Sequence, residues 1–252
     1  MGRPIIALTT DFGVGSPYVA QMKGVLLSAS PDIVLVDVAH DLPAYDVRAA
    51  ELLLRGTAFT FPLGTVHVVV VDPGVGGPRR AIAVSLRGCF FVGPDNGVLG
   101  ACARAKDAEV VVLDRTALHR TPTAPTFHGR DIFAPVAAEL AMGVPLAEVG
   151  TPITDPTPST LPVPVERQGA LHGTTLGADR YGNVTTNVPA TWLGTIDAKG
   201  KRLRVVRTYA EAPPGELVAL AGSDGYVELA KREASAAEEL GAHGAEVVCR
   251  RS

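Results

Sequence analysis

The feature that most constrains this chain runs from Pro4 to about Met142, where short β-branched runs alternate with longer segments of helical spacing. Such alternation marks a wound α/β layer, because each apolar strand needs helices to cover it. The runs Ile5 to Thr10, Ile33 to Val38 and Val66 to Val71 are apolar nearly throughout, as expected of parallel strands covered on both faces. The first predicted helix runs from Pro17 to about Ser28, with Ser16 as N-cap and Pro17 at the first helical position, where a missing N–H is harmless. A second runs from about Asp46 to Phe59, with Val47, Leu52, Leu53 and Leu54 as its apolar stripe. A third covers Asp131 to Met142 and stops at Gly143.

Between Gly150 and Gly169 the chain becomes rich in Pro, Thr and Ser, TPITDPTPSTLPVPVERQG, which favours an extended connection over helix. Beyond it, LHGTTLGADRYGNVTTNV, KRLRVVRTY, ELVALAGSDGYVELA and AEVVCRR are short strand-like runs separated by Gly, Asp and Asn turns. The expectation is an α/β domain over residues 1–155, a Pro-rich linker over 156–168, and a small all-β barrel or sandwich over 169–252.

Charge narrows the choice of partner. The 252 residues carry a formal net charge of -3 with no basic block, which removes the electrostatic footprint of a nucleic-acid or anionic-membrane binder and favours a small molecule. No apolar run reaches the roughly 18 residues of a membrane-spanning helix. The apolar stretch in MGRPIIALTTDFG is too short for a signal-peptide core, so a cytoplasmic location is expected. Cys89, Cys102 and Cys249 form no CxxC pair that would suit zinc. They read as reduced and structural.

Four loops gather acids, small residues and a histidine at the ends of predicted strands, where wound sheets place ligands. In TTDFG, Asp11 ends the first strand and Gly13 and Gly15 open the turn. A plain Asx turn would use the same residues. A kinase DFG lacks its HRD and VAIK companions here, and Tyr18 stands where a dinucleotide fingerprint needs its third glycine. What remains is a carboxylate suited to accept two hydrogen bonds from a cis-diol. In VVVVDPGVGGPRR, a valine run delivers Asp72 to a glycine-rich turn followed by Arg79 and Arg80; no Lys-Ser or Lys-Thr follows, so it is not a P-loop. GPDNG, residues 93–97, reads alone as a turn. PTFHGRDIFAP brings His128, Arg130 and Asp131 to a predicted helix start, with Asp131 as the cap and Arg130 as a partner for an acid. ADRYGNVTTN, with Asp179 and Asn183, and GSDGY, with Ser223 and Tyr226, read one by one as hairpin turns.

In this order across nearly the whole chain, TTDFG, DPGVGG with Arg79, PDNG, TFHGRD and D-x-x-G-N-x-x-T-N resemble one family. It contains the S-adenosyl-L-methionine hydroxide adenosyltransferases together with the fluorinases and chlorinases. The resemblance implies a Rossmann-like N-terminal domain, a C-terminal β-barrel and a homotrimer with active sites between subunits. It further implies S-adenosyl-L-methionine as the substrate, split by water into adenosine and methionine, with no separate cofactor and no metal. In the hydroxide-using members an Asp, an Arg and a His position the water, and these fall on Asp72, Arg79 and His128, with Arg80 outside the trio. Asp11 matches the carboxylate that holds the ribose hydroxyls, Asp179 and Ser223 match the grip on the methionine amino and carboxylate groups, and Asn183 matches an adenine contact. Tyr45 stands where some members stack a tryptophan, Lys231 stands at an arginine position, and Asp224 occupies a position that varies.

Fluoride-using members carry a tyrosine at the position of Asp72, a halide-binding serine at that of Gly129, and a long insertion after the strand Ala81 to Leu86 that SLRGCFF leaves no room for. Three other readings compete with the hydrolase. One is a chlorinase-type halogenase, one a non-catalytic adenosine-binding or S-adenosyl-methionine-binding module, and one a metal-dependent hydrolase built on Asp11, Asp72, His128 and Asp131. No HxH or HExxH pair supports the last.

Overall fold

A computed structural model describes residues 2–251, and these form two compact units that divide between Thr160 and Leu161. The first unit is built on a seven-stranded sheet. Its strands are β1 (Ile5–Thr10), β2 (Val34–Ala39), β3 (Val66–Val70), β4 (Ala81–Leu86), β5 (Cys89–Pro94), β6 (Glu109–Val112) and the short β7 (Thr151–Pro152). They lie in the order β2-β1-β3-β5-β4-β6-β7. β1 runs parallel to β2 and β3, and β3 parallel to β5, whereas β4, β6 and β7 pair antiparallel. The wound α/β expectation therefore holds for the half of the sheet that ends in TTDFG and DPGVGG.

The valine run is explained by its neighbours. Successive side chains of a strand point to opposite faces. Val66, Val68 and Val70 enter one core with Met22, Leu26 and Phe133, while Val69 and Val71 enter another with Ala50, Leu54 and Phe91. Two covered faces leave little room for polar side chains, and the one that β3 carries, His67, is buried as well. β2 departs from this expectation: it is the edge strand and is largely half-buried, because a neighbour lies on one side only.

Helix α1 (Pro17–Ala29) starts as predicted, with the Ser16 side chain accepting from Tyr18 N. α2 (Val47–Thr57) is capped by Asp46; of the expected stripe Leu54 is buried, whereas Val47, Leu52 and Leu53 are only partly so, and Ala50 and Glu51 complete the buried face. Glu51 turns inward because backbone donors await it there, Ala101 N at 3.1 Å and Thr160 N at 2.8 Å. Ala101 lies on the short α3 (Gly100–Ala103). The third predicted helix begins earlier than expected, as a π-helical turn over Gly129–Phe133 that runs into α4 (Ala134–Ala141), followed by α5 (Leu146–Val149).

The second unit comprises β8 (Val165–Arg167), β9 (Ala170–Ala178), β10 (Val184–Pro189), β11 (Thr195–Ala198), β12 (Lys201–Val205), β13 (Leu217–Ala221), β14 (Tyr226–Lys231), α6 (Ala236–Leu240) and β15 (Glu246–Arg250). Strands β10-β14-β13-β12-β11-β15-β9 follow one another, and the second half of β9 pairs back to β10, closing a seven-stranded barrel, while β8 pairs antiparallel to the first residues of β9. Closure removes the free edges that short strands would otherwise expose. Its core includes Val184, Ile196, Leu229, Val247 and Cys249, with Ala236 and Leu240 of α6. Among the described residues no helix is long and apolar enough to cross a membrane.

Candidate active site

The loops after β1 and β3 and the π-helical turn before α4 converge on one cavity of about 270 Å³ in the first unit. Asp11, Tyr45, Asp72 and His128 line it, together with Phe12 and Phe127. Asp72 follows directly on the buried valine run, so strand β3 fixes its position. Arg79, seven residues on, folds back across the DPGVGG turn: Nε donates to Asp72 Oδ1 at 3.0 Å, and Nη2 donates to Asp72 Oδ2. The same Nη2 lies 2.8 Å from His128 Nδ1. One guanidinium thus grips a carboxylate side-on and holds an imidazole with the second hydrogen of Nη2, a geometry lysine could not reproduce. The Arg79 and Asp72 side chains are only 10% and 5% exposed. The Phe133 ring lies 5.5 Å below the guanidinium carbon, a support that the sequence reading missed although TFHGRDIF places it five residues after the histidine.

A guanidinium only donates, so His128 Nδ1 accepts and a neutral ring carries its proton on Nε2. Burial, reinforced by the charge of Arg79, holds the His128 pKa below the ordinary histidine value and so favours the neutral ring. Asp11 accepts at Oδ2 from Tyr45 N at 2.8 Å. Tyr45 takes a left-handed backbone, φ 67°, and is 73% exposed. A tyrosine in that conformation is strained, and such strain gathers at functional sites.

Next to His128, Gly129 is packed tightly. A Cβ there would meet Met22 Sδ at 3.2 Å and the Phe127 ring at 3.4 Å. β4 and β5 are joined by Arg87 and Gly88 alone, both with positive φ, which is a two-residue hairpin with no insertion.

Other motif residues serve the scaffold. Arg80 binds Asp95 and Asp155, and Asp95 in turn accepts from Thr157 N at 2.7 Å, so PDNG and Arg80 together clasp the start of the Pro-rich segment. Asp131 does not cap a helix as the sequence suggested. It is fully buried inside the π-helical turn, where it accepts from the Arg130 guanidinium and from Ala124 N. A carboxylate that deep requires a charged partner. Among the described residues no three His, Cys, Asp or Glu side chains converge as a metal site.

The remaining candidates lie in the second unit. Asp179 shapes the β9–β10 turn, accepting from Tyr181 N, Asn183 N and Asn183 Nδ2. Asn183 and Lys231 line a cavity of about 480 Å³ with Tyr181 and Tyr209. Lys231 also pairs with Glu239 at 2.6 Å. Ser223 is exposed in the turn between β13 and β14, beside Asp224.

The chain matches the family models for the SAM hydroxide adenosyltransferase N-terminal domain over residues 6–150 and C-terminal domain over residues 173–249. It is 39% identical to an (R)-S-adenosyl-L-methionine hydrolase of Thermus thermophilus, over 95% of this chain and 96% of that one. A fluorinase from an Actinoplanes species is more distant, 28% identical over 92% of each chain. The crystal structure of an uncharacterized conserved protein from Thermotoga maritima superimposes with a TM-score of 0.87 at 32% identity, over 98% of this chain and 100% of that one. Both domain models match in order, and the Thermus relative aligns over nearly its whole length, so the chain belongs to the SAM hydroxide adenosyltransferase family.

Proposed function

We propose that this protein hydrolyses S-adenosyl-L-methionine to adenosine and L-methionine, with Asp72, Arg79 and His128 positioning the water. The observation that carries the reading is Arg79 bridging Asp72 and His128 beside a cavity that also holds Asp11. Family membership and the 39% identical hydrolase support the same activity. The sulfonium makes ribose C5′ an activated carbon with a neutral thioether as its leaving group. Little acid catalysis is needed; the demand is for an oxygen held in line opposite sulfur. In this reading His128 Nε2–H donates to the water, orienting a lone pair toward C5′, and Asp72 accepts a water proton. The O–C5′ bond forms as C5′–S breaks with its electron pair left on sulfur. The attacking oxygen becomes strongly acidic as it bonds carbon, so a carboxylate suffices to take its proton, which then leaves to solvent. Arg79 fixes both partners and stabilises the oxygen electrostatically.

Asp11 would accept the ribose 2′ and 3′ hydroxyls. Asp179 and Ser223 would hold the methionine end, and Asn183, Tyr45 and Lys231 the adenine side. The first unit's cavity of about 270 Å³ is small for a nucleoside joined to an amino acid, which supports a homotrimer whose sites are completed between subunits. Halide use is disfavoured by the crowding around Gly129 and by the direct β4–β5 hairpin. Turnover in ¹⁸O-labelled water tests the reading: label in the adenosine 5′-hydroxyl is expected, whereas a 5′-chloro product in chloride buffer, or no turnover at all, would overturn it.

A further inference from the structure

A second polar network lies behind Asp11. Lys23 Nζ of α1 is 2.6 Å from Asp37 Oδ2 on β2, Asp37 Oδ1 is 3.0 Å from His40 Nε2, and His40 Nδ1 is 2.9 Å from Thr10 Oγ1 at the end of β1. Phe12 N donates to that hydroxyl at 3.3 Å, and Gly13 N donates to the His40 carbonyl at 2.7 Å. The direction of each link follows from its chemistry. A carboxylate only accepts, so in the neutral tautomer the His40 proton sits on Nε2 and Nδ1 is left as an acceptor. Thr10 fills it with its O–H, keeping a lone pair for Phe12 N–H. Every donor in the chain thus points toward Asp37, where the Lys23 ammonium meets it.

Thr10 is fully buried and His40 is 8% exposed, so the network ends on backbone and not on a ligand. The backbone it holds flanks Asp11 on both sides. Asp11 lies beyond the last ladder bond of β1, and Gly13 turns with φ 91°, so no sheet pairing fixes residues 11–13. A carboxylate that accepts two hydroxyls at once must be held to within about half an ångström. We propose that His40 is a positioning residue for Asp11. Its side chain holds Thr10 and, through the Thr10 hydroxyl, Phe12, while its carbonyl holds Gly13; the Asp11 carboxylate is thereby aimed at the ribose diol. This rests on the reading of Asp11 given above.

The test compares kcat and KM for S-adenosyl-methionine and its 2′-deoxyribosyl analogue in wild type and in Asp11→Asn, His40→Ala, Thr10→Val and Thr10→Ser variants, with thermal unfolding of each. Wild type is expected to prefer the full diol, and Asp11→Asn to lose that preference. His40→Ala and Thr10→Val are expected to reduce the preference about tenfold, the size of one charge-assisted hydrogen bond, mainly through KM for the diol substrate. Thr10→Ser restores it, and His40→Ala adds no further loss in an Asp11→Asn background. Thr10→Val deletes one hydroxyl from a side chain of the same shape, so it carries the test should His40→Ala fail to fold. The proposal is overturned if the His40 and Thr10 variants slow both substrates equally, or lose stability with the preference intact. A wild type without any preference overturns the Asp11 reading itself, and this proposal with it.

Discussion

At the scale of single residues, the site depends on hydrogens that one guanidinium places. Arg79→Lys keeps the charge but cannot serve both Asp72 oxygens and His128. A loss of about 10²-fold in kcat is expected, typical of a misplaced acid–base group, with stability little changed; a steady-state assay beside a melting curve checks both. Protonating His128 abolishes its acceptor at Nδ1 and turns the Arg79 contact into repulsion. Because its pKa is depressed by burial and by Arg79, activity should hold as pH falls through the ordinary histidine range and drop only below it. An acid limb in the kcat/KM profile with a midpoint above about 6.5 would contradict the neutral role. For Gly129→Ser, the new Cβ meets Met22 and Phe127 within 3.4 Å. A cost of about 1 kcal/mol, or a fall in Tm of about 3 °C, is expected, with no gain of halide chemistry because Asp72 remains.

Among the elements, two buried polar groups control stability away from the cavity. Glu51, 2% exposed on α2, accepts from Ala101 N, Thr160 N and Thr160 Oγ1, and so ties α2 to α3 and to the Pro-rich segment. Glu51→Ala strands three donors and should cost about 3 kcal/mol in denaturant unfolding, with Glu51→Gln recovering part of it. His67 on β3 stacks on Phe91 with its Nε2 buried and without a hydrogen-bond partner among the described residues, and burial lowers its pKa to about 4. The folded state therefore resists a proton that the unfolded chain accepts. This contribution is complete above the unfolded value near 6.5 and is lost as pH falls toward 4, roughly 3 kcal/mol at about 1.4 kcal/mol per unit. In His67→Phe, which keeps the stacked ring, the loss of stability between pH 7 and 4 should shrink by that amount; an unchanged pH dependence would rule out His67 as its source.

For the whole molecule, the division of labour between sequence and fold is visible in particular residues. Local chemistry was readable along the chain: Ser16 and Pro17 start α1, the valine run of β3 requires two covered faces, and Asn and Gly turns separate the strands of the second unit. So was the ordered set of motifs that placed Asp72, Arg79 and His128 in one family pattern. The assembly of those motifs was not readable, because it depends on which side chains meet across long separations. Arg79 and His128 stand 49 residues apart, and Arg80 and Asp155 stand 75 apart. Adjacent arginines with the same propensities diverge here, one onto Asp72 and His128 and one onto Asp95 and the Pro-rich segment. The inward turn of Glu51, the burial of Asp131 in a π-helical turn and the edge position of β2 have the same origin. Periodicity reports the chemistry of a face, whereas burial is fixed by the donors, rings and strands that the fold brings against it. The sequence by itself therefore determined the two architectures and the reactive residue types, and the tertiary structure decided which of those residues share a hydrogen bond.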